Sequence, residues 1–364
     1  MADPVPPYQP LPSTQGPRGG RSGAFWAAII LAIALGFSLL INLALLMAVG
    51  ATAAAAGGDQ VGKREWGEKT IEGSGAAKIA VIEVRGVISG DRGDGMFGPG
   101  QSLAERVKSQ LEQAQRDDAV KAVVLAIDSP GGEVTASDAL HDAVAALRAA
   151  GKPVVAHFGA LAASGGYYIA APCDAIVASP TGLTGSIGVI FQVPDLHRLL
   201  DEKLGVGLNT MKSGPFKDIG SPSRPMRDDE RALLQSLVDE MYTRFVAVVA
   251  KGRAGRGPIP AESEAATAAV RVLADGRIYS GEQAVANGLA DSNGHIEAAY
   301  AKAEELAGID DARIIRYRHV GGLFSLFDPE AGAQVNVNAG VQVDAELLGG
   351  LTRPRLEFRW YPTF

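Results

Sequence analysis

The chain has 364 residues, 47% hydrophobic and 21% charged, with a formal net charge of -7 and a pI near 5.4. That length exceeds the needs of one compact domain, and the apolar content is enough to build a core. The acidic balance argues against a nucleic-acid binder, and the single cysteine, Cys173, excludes an intramolecular disulfide scaffold.

Residues 1–24 are rich in Pro and Gly and lack an apolar period, the composition of a disordered cytoplasmic tail. Phe25 to Val49 then carries no charge, and Ser38 and Asn42 are its clearly polar positions. Such a run can cross a bilayer core of roughly 30 Å as a helix. Arg18 and Arg21 precede it and the next basic residue is Lys63, so the positive-inside tendency puts the N-terminus in the cytoplasm and the remainder outside. A cleaved signal peptide is the competing reading, because Ala48 to Ala56 offers small-residue cleavage sites. The apolar run exceeds a signal core of roughly 7–15 residues, which favours a retained anchor in the cell membrane.

Residues 50–77 read as a linker into a folded domain at 78–320. Residues 79–88 (IAVIEVRGVI) predict a strand, and 102–117 a helix with Leu103, Val107 and Leu111 four apart. The nearly continuous apolar run at 120–128 suits a strand covered on both faces. A helix at 134–150 and strands at 153–159 and 175–179 follow, an alternation that implies an α/β fold with a mostly parallel sheet. Residues 229–252 predict one long amphipathic helix and 313–318 a returning strand, while the C-terminal tail at 321–364 shows no clear period.

Three glycine-marked turns end probable strands. Asp128-Ser129-Pro130-Gly131-Gly132 lies where the loops of a parallel sheet form a ligand crevice, and its paired glycines allow close backbone approach and free N–H groups. Ala163-Ser164-Gly165-Gly166 puts a serine at the start of an apolar helical run, where developing negative charge is favoured. Gly185-Ser186-Ile187-Gly188 is the third. A serine nucleophile needs a base. No local motif ties His141, His157, His197, His295 or His319 to Ser164, and His157 reads as a strand residue. A lysine serves if burial favours its neutral form, and Lys217 follows Gly-Pro-Phe in a loop apolar enough for partial burial. Taken singly, each feature has a plainer reading: Ser164 as a helix N-cap, Lys217 as a solvated loop lysine, Cys173 as a buried thiol.

Taken in order, the turns resemble the signal peptide peptidase A family of serine proteases. The matching residues are Asp128 to Gly132, Ala163 to Tyr168, Gly185 to Val189, Lys212 to Pro222 and 275–291, and the resemblance covers 78–300. It implies a fold of the ClpP/crotonase type, with repeated β-β-α units and a helical extension behind one transmembrane helix. It implies a Ser–Lys dyad, with Ser164 as nucleophile by its ASGGYY setting and Lys217 as general base by its place in KSGPFKDIGSP. Lys212 in the same run is the competing base. Gly132 and Gly165 match the oxyanion donors, Gly131 shapes their turn, and Ser186 is expected to orient the lysine. No metal or organic cofactor is implied. The implied substrates are cleaved signal peptides left in the membrane and other apolar peptides, met at its extracytoplasmic face. The chain has no second copy of ASGGYY or DSPGG, so it is similar to the short members, which are expected to form homo-oligomeric rings. Whether Ser164 and Lys217 meet within or between subunits stays open at this level. The rival readings are a crotonase-like acyl-thioester enzyme and a catalytically inactive membrane scaffold of the same fold. The anchor and lysine run speak against the first, and the intact Ser164, Lys217 and glycine turns against the second.

Overall fold

The computed structural model describes residues 23–56, 66–92, 94–95, 98–99, 101–319 and 356–359. Nearly all of the expected N-terminal tail, part of the expected linker and most of the expected C-terminal tail lie outside the described residues. The chain divides into two units, Met1–Lys63 and Arg64–Phe364.

In the first unit, α1 (Gly23–Ala56) is one continuous helix, because nothing between Phe25 and Val49 breaks its backbone ladder or introduces a charge. Its stretch Phe25–Leu45 has a mean hydropathy of 2.6, and none of it is buried within the protein. Asn42 donates its side-chain amide to the Ser38 carbonyl at 2.7 Å, so this polar group is satisfied inside the helix.

The second unit begins with β1 (Trp66–Glu72), β2 (Ala77–Arg85) and the short pair β3 (Asp94–Gly95) and β4 (Gly98–Pro99). Next come α2 (Leu103–Arg116), β5 (Val120–Ser129), β6 (Gly131–Glu133), α3 (Val134–Ala149) and β7 (Val154–Ala163). They are followed by α4 (Gly165–Ala170), β8 (Ala175–Ala178), β9 (Leu183–Gly185) and β10 (Ile190–Phe191). Beyond a π-helical turn at Leu199–Lys203 lie α5 (Asp228–Arg253), α6 (Ser263–Leu273), β11 (Ile278–Ser280) and α7 (Gly281–Ala286). The last are β12 (Ser292–Asn293), α8 (Ile296–Ala307), β13 (Ala312–His319) and β14 (Leu356–Arg359).

The main sheet runs β1-β13-β2-β5-β7-β8-β12, with β9 joining β7 and β11 joining β9. From β13 to β12 every neighbour is parallel, as the strand–helix alternation implies. The period of two in β5 explains its continuous apolar run. Val123, Leu125 and Ile127 enter one core cluster, and Ala122 and Val124 enter a second on the opposite face. Helix α8 contributes Ala299, Tyr300 and Ala303 to that second cluster, while α2, α3, α4 and α5 contribute to the first. Cys173 is buried in the first cluster, and that burial pushes its thiol up, away from thiolate chemistry.

Residues 66–72 differ from the expected linker: they pair antiparallel with β13 as an edge strand. Their signal is weak because Trp66 is their one buried residue and Glu68, Lys69 and Glu72 face outward, a charged edge of the kind that discourages further pairing. Trp66 ties the strand to α2 by donating from Nε1 to Ser109 Oγ at 3.0 Å.

Candidate active site

Strand β5 ends at Ser129, and Pro130 cannot continue the ladder, so the chain turns at once into β6. Gly131 has φ 97°, a conformation an L side chain resists, and its N–H donates to Ser129 Oγ at 3.1 Å. Its carbonyl accepts from Ile88 N–H at 2.9 Å, and Glu133 N–H donates to the Ile88 carbonyl at 2.8 Å. Between these two bonds the Gly132 backbone lies so close to Ile88 that a Cβ there would sit 1.9 Å from the Ile88 carbonyl oxygen. Gly132→Ala is therefore expected to displace the turn and cost about 1–3 kcal/mol of stability. A urea midpoint unchanged from wild type would show that this contact is not limiting.

Strand β7 delivers Ser164 from the neighbouring position in the sheet. Ser129 pairs with Ala162, and Ala163 pairs with Gly185, so the three glycine-marked turns converge at one end of β5, β7 and β9. Ser164 donates its N–H to the Gly185 carbonyl at 2.8 Å and accepts from Tyr168 N–H at 2.9 Å, which starts α4. It stands at the N-cap position but its side chain makes no capping bond, so the plain-cap reading fails. Its Oγ is buried and has no hydrogen-bond partner among the described residues.

The backbone at Ser164 has φ 53° and ψ -114°. Ser164 and Ser186, at φ 48°, are the two non-glycine residues with positive φ among the described residues. Each such conformation costs of order 1–3 kcal/mol and persists only where the surroundings over-determine it. Here they do. Ser186 donates its N–H to the Arg277 carbonyl at 2.8 Å, and β11 pairs with β9 through Tyr279 and Thr184. Tyr167 donates to the Leu289 carbonyl at 2.8 Å, and Tyr168 to Asp138 Oδ1 at 2.7 Å. The 275–291 motif is thus the buttress of the Ser164 and Ser186 turns.

Behind this buttress sits a buried ion pair that no local pattern announces. Arg253, with no exposed surface, forks onto Asp291 at 2.9 and 3.0 Å and donates from Nε to the Gly288 carbonyl. Asp291 also accepts from Arg256 and from the Ile176 N–H at 2.7 Å. Burial works against the Asp291 carboxylate, but the hydrogen bonds from Arg253 outweigh it and hold the group below its ordinary value.

Lys217 is on the loop before α5. Its side chain is exposed, which corrects the expected partial burial, and among the described residues it makes no ion pair. It does not hydrogen-bond Ser164 Oγ, since that oxygen has no partner. The apolar flank that suggested burial belongs to Phe216, which is itself exposed. Lys212, the competing base, is paired with Asp218 at 2.6 Å. His157 is buried on β7 with Nε2 3.5 Å from Ser179 Oγ, and burial depresses its basicity. A cavity of about 260 Å³ under the lysine loop is lined by Phe191, Val193, Arg224 and Leu234 and includes none of Ser164, Gly131 or Gly132.

Residues 146–310 match the model of peptidase family S49, and residues 99–176 match the Clp protease model. A candidate signal peptide peptidase SppA of Enterococcus faecium is 40% identical over 259 residues, 71% of this chain and 72% of that one. The chain belongs to peptidase family S49. This S49 protease is also 40% identical over 256 residues to a candidate protease of Methanocaldococcus jannaschii, spanning 78% of it. It is 38% identical over 240 residues to Protease 4 of Salmonella typhi, a match that spans 66% of this chain and 36% of that one. Ser164, Ser186 and Lys217 all fall inside the S49 match, and the Gly131–Gly132 turn inside the Clp match. The S49 chain has the mixed α/β sheet expected of a ClpP-like domain, together with one apolar N-terminal helix.

Proposed function

We propose that the chain is a membrane-anchored serine endopeptidase in which Ser164 attacks the peptide carbonyl and Lys217 removes its proton. The observation that carries this reading is the Ser164 Oγ, buried without a partner on a strained backbone where three glycine-marked turns meet. A hydroxyl held in this way has been denied its ordinary capping role and awaits a donor or acceptor from elsewhere. The Gly165 N–H, next to it in sequence, and the Gly132 N–H, on the turn that follows the neighbouring strand β5, are the oxyanion donors, each worth roughly 10²–10³ in rate. Ser186, one residue beyond the Gly185 that binds Ser164, is the group to orient the lysine. The acyl-enzyme formed with release of the amine product is then hydrolysed by water that Lys217 deprotonates.

Lys217 is exposed and has no ion-pair partner among the described residues, and Leu199, Leu204, Leu208, Met211 and Phe216 are exposed around it in sequence. These features support a homo-oligomer in which a neighbouring copy brings its lysine to Ser164. The strand β14 pairs antiparallel with β6, Phe358 opposite Gly132, and with β10 on its other side. This pairing supports an extended peptide as the substrate form, since the edge beside the oxyanion turn accepts a strand. The uncharged Phe25–Leu45 helix and the SppA name of the Enterococcus faecium relative support apolar peptides, remnant signal peptides among them, at the extracytoplasmic face. Tethering raises the effective concentration of membrane-held substrates.

The test is co-assembly of Ser164→Ala and Lys217→Ala chains. Each alone is expected to be silent on a fluorogenic apolar peptide, and mixed assemblies are expected to recover activity at sites pairing an intact serine with a neighbour's intact lysine. Mixed assemblies as silent as either parent would place both groups in one chain. Full activity of Lys217→Ala alone would remove the dyad.

A further inference from the structure

The loop that carries Lys217 is organised around one arginine. Arg224 donates from Nε to Asp218 Oδ2 at 2.9 Å, and from NH2 to Asp218 Oδ1 at 2.8 Å and to the Asp218 carbonyl at 3.1 Å. Its other contacts go to Glu230, at 2.8 Å from NH1 and 2.5 Å from NH2, and to the Pro225 carbonyl at 3.1 Å. Glu230 is wholly buried in the first turn of α5. It receives a second arginine, Arg227, which also donates to the Pro215 carbonyl at 3.1 Å and lies 5.4 Å from the Phe216 ring centre. The two arginines therefore grip the turn on both sides of Lys217, with Glu230 as their common anchor.

We propose that Arg224 is a positioning residue for the lysine: it holds the Asp218 carboxylate away from the ammonium group of the adjacent Lys217. The inference rests on the Ser–Lys reading above. Chemistry makes the arrangement necessary. A lysine that acts as a base must be neutral at the moment of attack, and a carboxylate within about 4–6 Å favours the charged form. Asp218 is the next residue in the chain and the obvious partner, yet both of its oxygens are occupied, Oδ1 by Arg224 and Lys212 and Oδ2 by Arg224.

Of the other charged groups near the loop, Asp228 and Arg231 in the first turns of α5 are exposed to solvent. Asp229 is paired with Arg227, Glu230 with both arginines, and Asp195 across the neighbouring cavity with His197. Hydrogen bonds from Arg224, then from Lys212, hold the Asp218 carboxyl well below its usual range, with burial opposing. Hydrogen bonds from Arg224 lower Glu230 from 4.5 to about 2. Both carboxylates therefore stay charged, and stay committed to Arg224, throughout the pH range in which a lysine base works.

The experiment compares pH profiles of kcat/KM for peptide hydrolysis by the full-length, detergent-purified protein. In Arg224→Ala, Lys212 still holds one oxygen of Asp218, and the freed Oδ2 can reach Lys217. The acid limb is expected to move up by about one pH unit, with about tenfold lower kcat/KM on that side. Arg224→Ala combined with Asp218→Asn is expected to return the limb to its wild-type position, because the freed carboxylate is gone. A purely structural arginine would leave the limb in place in the single variant and would not be rescued by the second change; either result overturns the proposal. If Arg224→Ala fails to assemble, Arg224→Ala with Glu230→Gln removes the buried carboxylate left behind and is read by the same criterion. Lys217→Ala runs alongside: activity there sinks the dyad reading itself, whereas a silent Lys217→Ala with an unmoved Arg224→Ala limb sinks only the role of Arg224.

Discussion

Ser164→Ala is expected to abolish peptide hydrolysis, with kcat falling by roughly 10⁴–10⁶ while the protein stays folded and assembled. With Ser164 as the proposed nucleophile, the magnitude follows from covalent catalysis: without its hydroxyl no acyl-enzyme would form, and the proposed backbone donors alone would leave only residual acceleration. The structure makes the variant a clean one. The Oγ has no hydrogen-bond partner among the described residues, so removing it orphans no buried group. Neither of the backbone bonds of Ser164, to the Gly185 carbonyl and from the Tyr168 N–H, uses the side chain. Wild-type melting behaviour with no hydrolysis is thus the expected pair of results. A Ser164→Ala protein that still cleaves would move the nucleophile to another residue, with Ser186 the first to test because it shares the positive-φ backbone.

The second large effect concerns the fold. Asp291→Ala is expected to destabilise the protein by about 3–5 kcal/mol, because it leaves the Arg253 guanidinium buried without its carboxylate. Arg253 has no exposed surface, and the lost carboxylate also serves Arg256 and the Ile176 N–H. Replacing both partners, Arg253→Met with Asp291→Leu, is expected to cost less than Asp291→Ala alone, since no uncompensated charge remains. The sign of the pH dependence follows from the lowered Asp291 value. The contribution of this carboxylate is fully present above its unfolded value of 3.8 and is lost as pH falls through the lower folded value. The gap between wild type and variant should therefore close on acidification below that point. Urea midpoints measured at neutral and acid pH check both statements. A gap that is absent at neutral pH would mean that Arg253 finds water or another partner when Asp291 is removed.

Activity in Asp291→Ala should fall with stability, because Leu289, two residues before Asp291, accepts from Tyr167 in the helix that follows Ser164. The distinction between the two variants is useful. Ser164→Ala separates chemistry from folding, and Asp291→Ala tests whether the 275–291 motif matters through support of the Ser164 turn.

Much of this protein was legible from residue order alone, where burial follows a local period. The uncharged run from Phe25 marks α1, and the apolar run at 120–128 marks β5, covered on both faces. The spacing at 229–252 marks α5, which runs Asp228–Arg253, and 313–318 falls inside β13. The three glycine turns were legible too, because turn chemistry depends on the residues in the turn itself. What the sequence could not decide depends on groups far apart in the chain. Strand β1 exists only because β13, more than two hundred residues later, supplies its ladder, and its charged outward residues hide that pairing. The pairing of β14 with β6 is equally remote. Nor does any local pattern reveal that Ser164 refuses its cap, that Arg253 is buried against Asp291, or that Arg224 occupies the Asp218 carboxylate beside an exposed Lys217. Local sequence determines which backbone a segment prefers and which face is apolar; tertiary contacts determine whether a polar atom inside has a partner, and that is what separates a serine that caps a helix from one left free to react.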